Sequence, residues 1–255
     1  MYKSLKVSSV LGLPVHVMTN YTDWLLECLQ QGKGTHVVTL NAEMTIQAER
    51  NPSLTEVIQN ADLVIPDGAG VVLYLQWLLR QEVQRCPGIE LAEKLLQELG
   101  QNQTAPKVFF YGGAPGVAAT AANLLQREVP QLNIAGTYSG YHCSEEEEIL
   151  QKTLTELQPQ VIFVGLGVPR QELWIAKNRH WCPQAIWIGV GGSFDIWSGT
   201  KTRAPRWLAN NNLEWLYRLY QEPWRWRRML ALPEFALKAC IYRLTGRRSV
   251  NGVEC

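Results

Sequence analysis

The chain has 255 residues, 46% of them apolar and 18% charged, a balance that supports a buried core and excludes global disorder. That length suits one α/β domain, or a domain of about 200 residues with an appendage, and excludes two large independent domains. Net charge is only +1, so no general positive field for nucleic acid exists.

The charge is unevenly spread. Residues 201–255 hold eleven Lys or Arg against four Asp or Glu, whereas residues 1–200 hold thirteen against nineteen. Eight of the ten Trp lie between Trp174 and Trp226, so cations and aromatics overlap near the C-terminal end. Surfaces that meet phosphate or lipid headgroups combine the two in this way. The six cysteines, Cys28, Cys86, Cys143, Cys182, Cys240 and Cys255, show no metal-site or redox spacing and read as reduced thiols of a cytoplasmic protein. After Lys3 and Lys6 the apolar stretch is broken by Ser8, Ser9, Gly12, Pro14 and His16, so no signal peptide is expected. The longest apolar run, Leu230 to Tyr242, contains Pro233, Glu234 and Lys238, and any membrane contact is therefore expected to be peripheral.

In chain order, Val37–Asn41 reads as a strand, and a helix from Ala42 stops by Asn51-Pro52. A short helix over Leu54–Asn60 leads to a strand at Asp62–Pro66, and Val71–Leu79 reads as a buried helix. Leu91–Leu99 is a further helix with Gly100 as its expected stop. The strand Lys107–Tyr111 ends in Gly112-Gly113-Ala114-Pro115-Gly116, before a helix to about Arg127. Asn133–Thr137 is a strand and Glu145–Leu157 a helix; Val161–Val164 and Ala185–Ile188 are strands running into Gly165-Leu166-Gly167 and Gly189-Val190-Gly191-Gly192. About six strands, apolar throughout rather than alternating, predict a mostly parallel, Rossmann-like sheet covered by helices on both faces.

After Gly199 the composition shifts. A basic loop, Lys201–Arg206, precedes helices expected over Leu213–Gln221, Trp224 to about Leu232, and Glu234–Leu244, with the last ten residues frayed. The expected organisation is an α/β domain over residues 1–199 and a basic, Trp-rich helical appendage over residues 200–255.

In an open parallel sheet, ligands bind beyond the carboxyl ends of the strands. There the sequence puts Thr39, Asn41, Asp67-Gly68, Gly112-Gly113, Gly165–Gly167 with Gln171, and Gly191-Gly192. This rim of backbone amides and short polar side chains suits a phosphate-bearing ligand. The Gly112–Gly116 turn is either a phosphate cradle or simply a tight strand-to-helix turn. Asp67 is either a general base whose pKa is raised by burial or a turn-forming Asp-Gly residue. Asp195 reads as a structural hydrogen-bonding residue. No G-x-G-x-x-G or Walker lysine is present, which disfavours nicotinamide and P-loop enzymes. No cofactor is expected, and no metal-site spacing exists, because His16, His36, His142 and His180 are scattered. A ligand diphosphate would then need cationic partners. The tail offers Arg203, Arg206, Arg218, Arg225, Arg227 and Arg228, which serve equally well for a solvated or lipid-facing helix.

Taken in order, the segments Thr39–Glu43, Pro66–Gly70, Pro87-Gly88, Tyr111–Gly113, Gly165–Glu172, Gly189–Asp195, Arg203–Pro205, Leu213–Arg218 and Glu222–Arg228 closely resemble the WecG/TagA/CpsF family of bacterial glycosyltransferases, over roughly residues 10–235. The resemblance implies an inverting, metal-independent transfer of a sugar from a nucleoside diphosphate donor, commonly UDP-N-acetylmannosamine or its uronic acid. The acceptor it implies is a polyprenyl-diphosphate-linked sugar at the inner face of the plasma membrane. Carried over by position, Asp67 matches the proposed catalytic base, and Thr39, Asn41 and Gln171 match the polar pocket lining. Arg218, Arg225 and Arg228 match appendage arginines that neutralise the donor diphosphate. Cys86 stands where an aliphatic residue is usual, Glu90 where Asp is frequent and Arg170 where Lys is common; these departures bear on sugar identity rather than reaction type. Two other readings remain from the residues alone, another nucleotide-sugar enzyme on the same scaffold and a non-catalytic membrane-docking protein. Oligomeric state is not legible.

Overall fold

The computed structural model describes residues 6–141, 143–211 and 213–245. Its centre is a six-stranded, all-parallel sheet built from β3 (Thr35–Leu40), β4 (Leu63–Pro66), β5 (Val108–Gly112), β6 (Ile134–Tyr138), β7 (Val161–Gly165) and β8 (Ile186–Gly189). The spatial order is β4-β3-β8-β7-β5-β6. Each expected strand is present, displaced by no more than two residues at either end. Successive side chains point to opposite faces, and both faces are packed. Val37, Phe110, Phe163 and Ile188 enter one core layer, while Val38 and Leu40 enter a second and Phe109, Ile162 and Trp187 a third.

An antiparallel hairpin, β1 (Lys6–Val10) and β2 (Leu13–Val17), precedes the sheet and was not anticipated from the sequence. The hairpin guards the edge strand β4: His16 Nδ1 accepts a hydrogen bond from the Val64 amide at 2.9 Å, satisfying a donor that an uncovered edge would leave open. Burial pushes the His16 pKa down, against opposing effects of Val64 and Asp62.

The helices divide between the two faces. On one lie α1 (Tyr21–Gln30), α5 (Gly88–Gln101), α6 (Val117–Glu128) and the short α9 (Ser193–Trp197). On the other lie α2 (Ala42–Glu49), α3 (Pro52–Gln59), α4 (Ala69–Leu79), α7 (Ser144–Leu157) and α8 (Arg170–Asn178). Local chemistry sets their starts. Asn41 Oδ1 caps α2 by accepting from the Met44 amide at 2.9 Å, and Asn51 caps α3, whose first residue is Pro52. Gly100 does not stop α5, which continues to Gln101; a Cβ there would lie 2.1 Å from Val129 Cγ1, so the glycine serves close packing.

The chain ends in α10 (Arg206–Asn210), α11 (Glu214–Gln221), a 3₁₀ turn over Pro223–Arg225, α12 (Trp226–Met229) and α13 (Ala231–Leu244). The helix expected up to Leu232 is thus divided, and Pro233 sits in the first turn of α13, where its missing N–H breaks no intrahelical bond. Helix α13 returns to the α/β body and buries Phe235 and Ala239 beside α2 and α4, with Phe235 edge-on to Tyr74 at 6.3 Å. Its opposite side exposes Leu237, Ile241 and Leu244. The expectation for the last ten residues, including Arg247 and Arg248, falls outside the described residues, as do His142 and Cys255. Among the described residues no helix is long and apolar enough to cross a membrane.

Candidate active site

The carboxyl ends of β3, β4, β5, β7 and β8 open into a cavity of about 480 Å³, lined on its far side by α11, α12 and the 3₁₀ turn. Thr39, Asn41, Asp67, Gly113, Gly167, Gln171, Arg218, Arg225 and Arg228 all line it. Gly68 and Gly112 stand immediately beside it, next to Asp67 and Gly113.

Asp67 follows β4, and its backbone amide continues the sheet by donating to Leu40 O at 3.0 Å. Its Oδ1 accepts from the Gly88 amide at 2.7 Å. Gly88 is the first residue of α5, so the carboxylate faces the positive end of a helix. A side chain at Gly88 would put Cβ 2.7 Å from Thr39 Cγ2; only a glycine lets that helix end approach the acid. Burial raises the Asp67 pKa above the ordinary carboxylate range, opposed by the Gly88 amide and the guanidiniums of Arg218 and Arg85, and reinforced by Glu214. A carboxylate of this kind is a stronger base than a solvated one.

The other predicted residues divide into two groups. Thr39 Oγ1 donates to Gly189 O at 3.2 Å, and Asn41 spends Oδ1 on its helix cap. Gly68 N donates to Leu40 O at 3.3 Å, and Gly113 N to Gly165 O at 3.1 Å; Gly112 pairs in register with Gly165. Gln171 is 1% exposed. Its Oε1 accepts from the amides of Gly167 at 3.2 Å and Gly191 at 3.0 Å, so it holds two rim loops together from below. Its Nε2 donates to Glu172 Oε1 at 2.9 Å, and Glu172 Oε2 meets His36 Nε2 at 2.9 Å. These groups build the floor and walls.

The second group is cationic and comes from the C-terminal helices. Arg218 pairs with Glu214 at 2.8 Å, Arg225 with Glu222 at 2.7 Å, and Arg228 with Glu43. Lys201 bridges Asp195 at 2.7 Å and Glu222 at 3.0 Å, and Asp195 also lines the cavity. Among the described residues Arg225 Nε is buried without a hydrogen-bond partner. Pro223 ends the continuous helix between Arg218 and Arg225, yet both reach the cavity, because the chain turns around it. Among the described residues no group of three or more His, Cys, Asp or Glu could hold a metal ion.

Sequence reasoning passed over Arg85 and Glu214. Arg85 Nε donates to the Asp67 carbonyl at 2.7 Å and its Nη2 pairs with Glu214 at 2.8 Å. The i, i+4 spacing of Glu214 and Arg218 was a visible signal. Nothing in the sequence marked Arg85, which lies in an irregular stretch two residues before Pro87.

The model of the glycosyl transferase WecG/TagA/CpsF family matches residues 8–249. A curated relative from Bacillus spizizenii, N-acetylglucosaminyldiphosphoundecaprenol N-acetyl-beta-D-mannosaminyltransferase, is 39% identical over 220 residues, 86% of this chain and 81% of its own. A protein of the same name from Bacillus subtilis is 34% identical over 221 residues, 86% of this chain and 85% of its own. A match across almost the whole chain, over a parallel sheet whose rim carries the family's motifs in order, shows that the protein belongs to the WecG/TagA/CpsF family and is a glycosyltransferase.

Proposed function

We propose that this glycosyltransferase moves an N-acetylmannosamine-type sugar from a nucleoside diphosphate donor, UDP-linked, onto a polyprenyl-diphosphate-linked N-acetylglucosamine, with inversion and without a metal ion. The names of the two Bacillus relatives support the sugar and the acceptor. The observation that carries the chemistry is that one basic carboxylate, Asp67, and three arginines, Arg218, Arg225 and Arg228, line the same cavity.

Direct displacement at the anomeric carbon has two demands. A base must take the proton of the attacking hydroxyl, and Asp67, with its pKa raised by burial, suits that role. The departing diphosphate must also be stabilised, and guanidiniums make bidentate contacts with phosphate oxygens. Arg225, whose Nε has no hydrogen-bond partner among the described residues, has such a contact to give; Arg228 would exchange Glu43 for a phosphate, and Arg218 would offer its remaining N–H groups while its Nη2 keeps Glu214. Removing one positioned charge-stabilising donor of this kind costs on the order of a hundredfold in rate. The glycine loops fixed by Gln171 and the Thr39–Asn41 segment form the wall against which the nucleotide lies.

The acceptor resides in a membrane, and the C-terminal helices suit a peripheral contact at its inner face. Trp224, Trp226, Leu230, Leu237, Ile241 and Leu244 are exposed there beside Arg227, the mix that binds anionic interfaces. Residues 200–255 would then act as an appendage that both completes the cavity of the catalytic body, residues 1–199, and meets the lipid. The test is donor-dependent UDP release with a synthetic lipid-diphosphate N-acetylglucosamine acceptor across a panel of nucleotide sugars. UDP-N-acetylmannosamine is expected to be the best donor and Asp67→Asn to abolish turnover. Full activity in that variant, or no acceptor-dependent release with any donor, would overturn the reading.

A further inference from the structure

Four groups form an unbroken chain from Asp67 to Arg218. The Asp67 carbonyl accepts from Arg85 Nε at 2.7 Å, Arg85 Nη2 reaches Glu214 Oε2 at 2.8 Å, and Glu214 Oε1 accepts from Arg218 Nη2 at 2.8 Å. Each carboxylate oxygen of Glu214 has its own guanidinium. The Glu214 side chain is only 13% exposed. Burial by itself would raise its pKa, but Arg218 and Arg85 outweigh that effect and hold it below the ordinary range. It therefore stays ionised with both partners in place. Arg85 belongs to the irregular segment between α4 and α5, whereas Glu214 opens α11, so the chain crosses from the α/β body to the C-terminal helices.

We infer that Glu214 is a positioning residue that fastens α11 to the loop carrying Asp67, setting the distance between the base and Arg218. This rests on the roles proposed above for Asp67 and Arg218. The other side-chain ties of α11, from Tyr217 and Gln221 to Thr202 and from Glu222 at its end to Lys201, run to the loop after α9, whereas the Glu214 link runs to the loop that carries Asp67. A carboxylate one methylene shorter, as in Glu214→Asp, keeps the charge but cannot span both guanidiniums.

The groups facing Asp67 are Gly88 N, Arg85, Arg218, Glu214 and, from the same segment as Arg85, the Cys86 thiol. Of these, Glu214 raises the Asp67 pKa by repulsion, which gives the test a sign. Glu214→Gln and Glu214→Asp are compared with the full-length enzyme for kcat, donor KM and pH profile, alongside UDP titration calorimetry. Both variants are expected to lose roughly a hundredfold in kcat, as misplaced reacting groups do, with UDP affinity within about threefold of the parent. The acidic limb is expected to move to lower pH in Glu214→Gln, where the charge is gone, and to stay in place in Glu214→Asp. Arg85→Met breaks the chain from the body side and keeps the test decisive if a Glu214 variant unfolds; its kcat is expected to fall alike. The Arg85→Met/Glu214→Gln double variant should be no slower than either single one, since both remove the same link.

Turnover within twofold of the parent in Glu214→Gln and Arg85→Met, with an unmoved acidic limb, would overturn the inference while leaving Asp67 as base. Full turnover in Asp67→Asn would instead remove the reading beneath it. A loss of melting temperature with kcat intact would reduce Glu214 to a purely structural ion pair and equally overturn the inference.

Discussion

Asp67→Asn separates the demands of catalysis from those of folding. The substitution keeps the shape and leaves Oδ1 to accept the Gly88 amide at the 2.7 Å that Asp67 now uses. It removes a negative charge whose pKa burial has raised. The sign follows from proton linkage. A carboxyl whose folded pKa lies above its unfolded value of about 4 carries no penalty while protonated in both states, and destabilises the fold increasingly as pH climbs through the folded pKa. Each unit of elevation amounts to about 1.4 kcal/mol above that point. The desolvation of a buried ion costs several kcal/mol, and here a helix-end amide and two guanidiniums offset part of it, so Asn recovers the remainder. For a chain of this size each kcal/mol recovered corresponds to roughly 2–4 °C in melting temperature. Melting curves of parent and variant from about pH 4 to about pH 8 read the difference directly. The variant is expected to be inactive and more stable at the alkaline end, with the gap closing as acid protonates the parent's carboxyl. An inactive variant that melts at or below the parent at about pH 8 would refute the claim that burial is what makes this acid a base.

Gly88→Ala pushes a methyl toward Thr39 Cγ2 at 2.7 Å and is expected to cost about 1–3 kcal/mol by overpacking; as the amide withdraws from Asp67, the acidic limb of kcat/KM should shift to higher pH, and an unshifted profile would show that the amide does not reach the carboxylate. Glu172→Ala leaves buried polar atoms of His36 and Gln171 without their acceptor. A loss of about 1–3 kcal/mol for each orphaned group by denaturant unfolding is expected, together with weaker UDP binding as the Gly167 and Gly191 loops slacken. Paired Leu237→Glu and Ile241→Glu changes on the outward side of α13 should cut co-sedimentation with anionic vesicles severalfold while soluble UDP binding is retained; unchanged sedimentation would move the lipid contact elsewhere.

The α/β body was legible because its signals are local. Uninterrupted β-branched and aromatic runs such as Val161–Val164 can be satisfied only by burial on both faces, and the glycines and Asn residues after them mark loops and helix caps whatever the rest of the chain does. The rim residues could be named for the same reason, since parallel strands put their carboxyl ends on one side. Gly100 was misread because a glycine near a helix end looks like a stop, and only the presence of Val129 against it reveals a packing contact. The β1–β2 hairpin is not legible in the sequence because its strands are short and their apolar pattern is interrupted by Ser8, Ser9, Pro14 and His16, and its purpose depends on where the β4 edge falls.

Everything that joins the two ends of the chain was decided by tertiary structure. Arg85 and Glu214 are 129 positions apart, and Glu43 and Arg228 are 185 apart; neither pairing follows from periodicity, because it depends on how α11 to α13 settle over the sheet. The residues of Asp67's environment are ordinary ones in sequence. What raises the pKa of its carboxylate is the withdrawal of water, and that arises only when a helix end, a loop and a distant helix come together around it.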